Sequence, residues 1–330
     1  MFKIALDAMG GDNAPMEMVK GAVESLTMSG FSLILVGQEP LIQAELSKYT
    51  YDKSRIQVVH ASEVIDTDEG AMAIKKKKDS SLVVGLNLLK DGEASSFVSA
   101  GSTGALLTGA TLKLKRLKGI SRPALAPLLP TEKGFAMLID CGANTDCKPH
   151  YLLEFARLGS VYMSHVQGIK NPKVGLAGIG AEDDKGNALT KEAFPLLKNA
   201  PDLNFVGNLE ARYIPQGEVD VIVCDGFVGN IILKTTEGYS KFILSTVKKE
   251  LMSGLSSKIG AFLAKGAFGR VRKTFDYSEV GGAPFLGLNA LVIKTHGSAM
   301  AKDVTGAIRQ SYHFLDKDII KKMEETNHGI

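Results

Sequence analysis

The segment Ala100-Gly101-Ser102-Thr103-Gly104 stands where a strand-like run, Ser95 to Ala100, meets a helix with Leu106, Leu107, Ala110 and Leu114 on one face. Successive backbone N–H groups, two hydroxyls and a helix N-terminus at one turn make an anion site. The same residues read equally as an N-cap, in which Ser or Thr satisfies free helix amides. Glu182-Asp183-Asp184-Lys185-Gly186-Asn187 sets one lysine among three carboxylates. Lys185 there could neutralise a phosphate or a developing oxyanion; the alternative is a solvated charged loop. Asp225 follows the apolar run Val221 to Cys224 at a strand end, and Asn230 could face the same crevice. Asp12, Asn144 and His296 hold comparable places, where turn formers are also common.

Several chemistries are missing. Neither the dinucleotide glycine fingerprint nor the lysine-bearing nucleotide loop is present, and no G-x-S-x-G elbow marks a serine nucleophile. The histidines at 60, 150, 165, 296, 313 and 328 form no H-E-x-x-H, and Cys141 and Cys147 lack a second pair, which argues against zinc. An acyl-cysteine route through Cys141, Cys147 or Cys224 lacks a supporting Cys–His spacing, and Cys224 falls on an apolar strand.

Positioning these turns requires a repeating scaffold, and the chain supplies one. Strand-like runs at Phe2–Leu6, Ser32–Gly37, Ile56–Val59, Ser95–Ala100, Ala136–Ile139, Val174–Ala177, Val219–Cys224 and Leu291–Thr295 alternate with glycine turns and helical patterns. This rhythm predicts an α/β fold with a mostly parallel sheet and helices on both faces. Its 35 glycines among 330 residues exceed the usual ~7%, as expected where tight strand-to-helix turns meet ligand. No linker divides the chain, so residues 1–330 read as one continuous α/β unit. Thirty-nine basic against 36 acidic residues are too balanced for a nucleic-acid binder. No apolar run nears the ~18 residues of a spanning helix. With no leader pattern and three sparse cysteines, the expectation is a cytoplasmic, water-soluble protein.

Residues 241–273 differ from the rest. Phe242, Ile243, Leu244, Val247, Leu251, Leu255, Ile259, Phe262, Leu263 and Phe268 mix with Lys248, Lys249, Lys258, Lys265, Arg270, Arg272 and Lys273. A protruding basic amphipathic helical pair of this kind lies on an anionic membrane or forms a dimer interface, or packs as an ordinary hairpin on its own core.

Together the turns resemble the PlsX family of bacterial phosphate acyltransferases. The resemblance rests on Asp7-Ala8-Met9-Gly10-Gly11-Asp12, residues 99–105, Arg122 to Pro127, Asp140 to Asn144, Glu182 to Asn187, Asp225 to Asn230, Gly281-Gly282-Ala283 and His296-Gly297. It spans essentially the whole chain in order, with Ser102 where the family pattern has Asn. It implies a three-layer α/β/α fold similar to isopropylmalate dehydrogenase, a homodimer, and no metal or organic cofactor. The implied reaction converts acyl-[acyl carrier protein] and inorganic phosphate into acyl phosphate and free carrier protein, feeding a membrane acyltransferase that acylates glycerol 3-phosphate. In this reading Gly101, Ser102, Thr103, Gly104 and Asn144 hold phosphate, Lys185 screens its charge, Asp225 and Asn230 orient the reactants, and His296 protonates the departing thiolate. Peripheral membrane contact and carrier docking would fall to residues 241–273. A coenzyme A-dependent phosphotransacylase and a non-catalytic anion-binding scaffold are the competing readings.

Overall fold

A computed structural model describes residues 1–274 and 281–327, the side chains of 272–274 and 327 excepted; the side chains of Arg272 and Lys273 and the whole of His328 therefore lie outside the described residues. The chain runs β1 (Phe2–Asp7), α1 (Met16–Ser25), β2 (Phe31–Gly37), α2 (Glu39–Leu46), β3 (Ile56–His60), α3 (Ala73–Lys76), α4 (Ser81–Lys90), β4 (Ser96–Ser99) and α5 (Thr103–Leu114). It crosses through β5 (Ala124–Leu125) and β6 (Leu128–Thr131) into β7 (Gly134–Ile139), α6 (Pro149–His165), β8 (Lys173–Gly178), α7 (Ala188–Lys198), β9 (Asn204–Glu210) and β10 (Val221–Val223). The helices α8 (Gly226–Leu251), α9 (Leu255–Leu263) and α10 (Lys265–Thr274) come next. The chain then returns through β11 (Ala283–Leu286), β12 (Leu291–Lys294), α11 (Ala301–Asp316) and α12 (Ile319–Asn327).

The expected three-layer α/β/α class is present, with its strands divided between two mostly parallel sheets, ordered β3-β2-β1-β4-β12-β11-β5 and β6-β7-β10-β8-β9. The switch between them takes one peptide: Ala126 N donates to Pro284 O of β11, and Pro127 O accepts from Leu138 N of β7. Pro127 has no N–H with which to continue the first ladder. Strand alternation assigns the cores. Ile4 and Leu6 of β1, Leu33 and Leu35 of β2 and Ile293 of β12 face a core shared with α1, α6, α11 and the second sheet. Ala5, Ile34, Phe97 and Val292 face the opposite layer of α4 and α5.

β5, β6, β9 and β11 are strands that the sequence pattern does not predict. They are short or interrupted by Pro130, Gly207 and Pro284, which weaken any strand signal. Residues 241–273 form the second half of α8 together with α9 and α10, and Gly254 stands as the N-cap of α9 after α8 has ended at Leu251.

Candidate active site

A cleft of about 720 Å³ lies where the two sheets meet, roofed by α8. One wall is a stack of three turns. Asp12 N donates to Gly297 O at 2.8 Å, joining the turn after β1 to the turn after β12. A Cβ on Gly10 would stand 2.5 Å from Asp7 Oδ2 and 2.8 Å from Gly101 N, so only glycine lets the first turn lie against the third. Gly11, at φ +95°, approaches Gly297 O in the same way.

Beneath these turns Ser99 Oγ donates to Asp7 Oδ2 at 2.7 Å and accepts from Gly101 N at 3.0 Å. Burial raises the pKa of Asp7, and hydrogen bonds from Ser81 and Ser99 oppose it. Lys294, 9% exposed at the end of β12, lines the cleft and donates from Nζ to Ala100 O at 3.1 Å and to Thr295 O. Burial pushes this ammonium down to about 8, against the pull of Asp7. His296 Nδ1 accepts from Ser298 N at 3.2 Å, which leaves the neutral ring's proton on Nε2. Burial, then the charge of Lys234, holds its pKa below the ordinary value, so the neutral form prevails at pH 7.

The other wall hangs on Asp140. Its Oδ1 accepts from Leu125 N at 2.8 Å and Cys141 N at 2.7 Å, and its Oδ2 from Asn144 N at 2.6 Å and Asn144 Nδ2 at 3.0 Å. Burial raises the Asp140 pKa to about 6 despite these donors. Gly226 and Gly229 let the first turn of α8 pass against the Asp140–Asn144 loop, because a Cβ at either would run into its backbone. So anchored, α8 presents Asn230, Leu233, Lys234, Glu237, Lys241 and Leu244 to the cleft at helical spacing. Lys234 pairs with Glu237 at 2.9 Å.

Of the residues singled out in the sequence, Thr103, Asn230 and His296 line this cleft together. Ser102 caps α5: its Oγ accepts from Ala105 N and donates to Glu69 O. Gly101 is buried beneath the turn and Gly104 is exposed at its far side. The Asn144 amide is committed to Asp140 and Pro123 O, and Asp225 Oδ1 caps α8 through Val228 N at 2.8 Å. Lys185 is exposed on the turn after β8, at the carboxyl edge of the second sheet, and does not line the cleft. That turn is tied by Asp183 to Lys198 and by Glu182 O to Asn208 Nδ2. Burial holds the thiols protonated, Cys141 and Cys147 at about 12 and Cys224 well above the usual range, which disfavours an acyl-cysteine route.

Lys294 and Lys234 escape a reading of the sequence. A lysine closing the apolar run Leu291-Val292-Ile293 is the available signal for the first, and its spacing from Asn230 for the second.

The sequence profile of a family described as "Fatty acid synthesis protein" matches residues 2–322. A phosphate acyltransferase of Alkaliphilus oremlandii is 50% identical over 325 residues, covering 98% of this chain and 97% of that one. A phosphate acyltransferase of Clostridium perfringens is 49% identical over 326 residues, covering 98% and 96%. Among solved structures, a phosphotransacetylase from Streptococcus pyogenes superposes with a TM-score of 0.61 at 22% identity over 94% of this chain and 93% of that one. A 4-hydroxythreonine-4-phosphate dehydrogenase from Klebsiella pneumoniae gives 0.54 at 13% identity over 95% and 99%. At such identities the two structures speak for the fold alone. The whole-length relatives and the family profile carry the conclusion: the chain belongs to the fatty acid synthesis protein family, the PlsX phosphate acyltransferases, and is an acyltransferase.

Proposed function

We propose that the cleft transfers a fatty acyl group from the thioester of an acyl carrier protein to inorganic phosphate. The observation that supports this reading is a single cleft whose lining combines groups suited to an anion with an apolar surface. Thr103 at the N-terminus of α5, Asn230 and the Nε2–H of His296 supply the first; Leu125, Pro127, Leu128, Leu233 and Leu244 supply the second. Phosphate needs no enzymic nucleophile. A phosphate oxygen bonds to the thioester carbon, the tetrahedral oxyanion collapses, and the C–S bond breaks. The phosphate O–H proton ends on the carrier thiol, and acyl phosphate leaves. His296, neutral with its proton on Nε2, suits hydrogen bonding to the oxyanion better than full proton donation, since a neutral imidazole is a very weak acid. Asn230 orients the thioester, and Asp225 acts indirectly by fixing the start of α8. Lys185 would screen phosphate from outside the wall described, by movement of its turn or from a second subunit. Lys185→Ala retaining wild-type turnover would remove it from the mechanism.

In this reading α8 to α10 serve the membrane step. Leu255, Ile259, Phe262 and Leu263 of α9 are 79%, 56%, 76% and 80% exposed beside Lys258 and Lys265. No helix among the described residues is long and apolar enough to cross a bilayer. A homodimer through α8, with α9 on an anionic lipid surface near the glycerol 3-phosphate acyltransferase, covers this apolar area. The acidic carrier would dock on the same basic surface.

The deciding experiment is phosphate-dependent thiol release from palmitoyl-acyl carrier protein, with acyl phosphate trapped as its hydroxamate. Release that needs phosphate and yields hydroxamate is the expected result. Release only from palmitoyl-coenzyme A would replace the carrier with the coenzyme.

A further inference from the structure

We infer that Lys294 is the principal anion-binding residue of the cleft, pairing its ammonium with the phosphate that enters it. This rests on the function proposed above and adds a residue to it.

Lys294 is more than nine-tenths buried, yet among the described residues no carboxylate is in ion-pairing contact with it. Both of its acceptors are neutral backbone carbonyls, Ala100 O and Thr295 O. An ammonium removed from water costs several kcal/mol unless a counter-charge repays it, so a buried lysine without one marks a place for an anion. The position suits one. Ala100 O opens the turn into α5, so the ammonium lies under a helix N-terminus. There the N–H groups of Thr103 and Gly104 have no acceptor among the described residues. Two of the three ammonium protons hold the carbonyls that precede Gly101 and His296. The third is available to a ligand in the cleft that Lys294 lines. The ionisable groups facing it are Asp7 on β1, Asp12 on the next turn and Lys234 on α8, with Cys141, Glu237, Lys241, His296 and Asp303 elsewhere on the wall. With Lys234 paired to Glu237, Lys294 is the deepest cation the cleft offers.

The test is calorimetric titration of the full chain with inorganic phosphate, which needs no acyl donor, for wild type, Lys294→Met and Lys294→Arg between pH 7 and 9.5. Wild-type Kd should rise with pH once Lys294 deprotonates near 8, approaching tenfold per pH unit. Lys294→Met should weaken binding at pH 7 by about 10- to 100-fold. Lys294→Arg should bind with no break near 8, because a guanidinium stays charged. Should Lys294→Met fail to fold, the arginine variant decides alone: losing the break supports the inference and keeping it overturns it. Lys294→Met binding phosphate as wild type does would also overturn it, while leaving the acyl-transfer reading intact. Wild type that binds no phosphate would sink both.

Discussion

The turns after β4 and β8 are made of the same parts. Each leaves the carboxyl end of a parallel strand and enters a helix under a polar cap, Ser102 accepting from Ala105 N and Asn187 from Thr190 N. Their surroundings differ. β4 lies between β1 and β12, so its turn is pressed between two others and gripped from below by Lys294 and Ser99. β8 lies next to edge strand β9, and its turn carries exposed charges, Asp183 reaching Lys198 and Lys185 facing solvent. A capped turn becomes a rigid ligand wall only when neighbouring strands bring other turns against it.

This contrast can be broken by experiment. Gly10→Ala should have the largest effect, because its Cβ would meet Asp7 and the Gly101 backbone. Overpacking there should cost about 2–3 kcal/mol, read as a lowered denaturation midpoint, with phosphate binding lost as well. A midpoint within error of wild type would show that the wall yields.

Lys294 offers a test of similar size through pH. Its folded pKa is depressed to about 8, so at higher pH the native state sheds a proton that the unfolded chain keeps. Burial of the charge therefore costs stability below 8, and the cost is relieved as pH rises towards the unfolded value. Relative to Lys294→Met, wild type should gain up to about 3 kcal/mol between pH 8 and 10.5. A pH-independent difference in urea unfolding would deny the burial its cost.

Thr103→Val should raise the phosphate KM by about tenfold with the acyl-donor KM unchanged, since it removes one hydroxyl from the cleft lining. An unchanged phosphate KM would move the cradle elsewhere. Asn187→Ala should be the mildest, costing about 1 kcal/mol of stability through loss of the α7 cap, measured by thermal unfolding. A much larger loss would mean that the second turn is as tightly integrated as the first.

Much of the scaffold is readable without coordinates because its signals are local. The apolar runs Ile4-Ala5-Leu6 and Leu33-Ile34-Leu35-Val36 mark strands in the sequence, and the structure sends neighbouring residues to opposite cores. The β5–β6 crossing is hidden for an equally local reason, since strands of two and four residues with prolines beside them have no period to detect. At the site, residue type is a weaker guide. Ser102, Asn144 and Asp225 carry the polar groups a ligand would want, but their bonds go to helix N-termini and loop backbone. Thr103, Asn230 and His296 look no more promising in the sequence, yet they are the ones that face the cleft.

By itself, then, the sequence determined the α/β class, the glycine turns at strand ends and the family, all written in short-range periodicity and in motifs kept in order. Tertiary structure alone decided which turns meet. Lys294 reaches Ala100 across 194 residues and Asn13 reaches Ser298 across 285. Such contacts depend on strand order within a sheet, and strand order is set by the packing of whole layers rather than by the residues on either side of a turn.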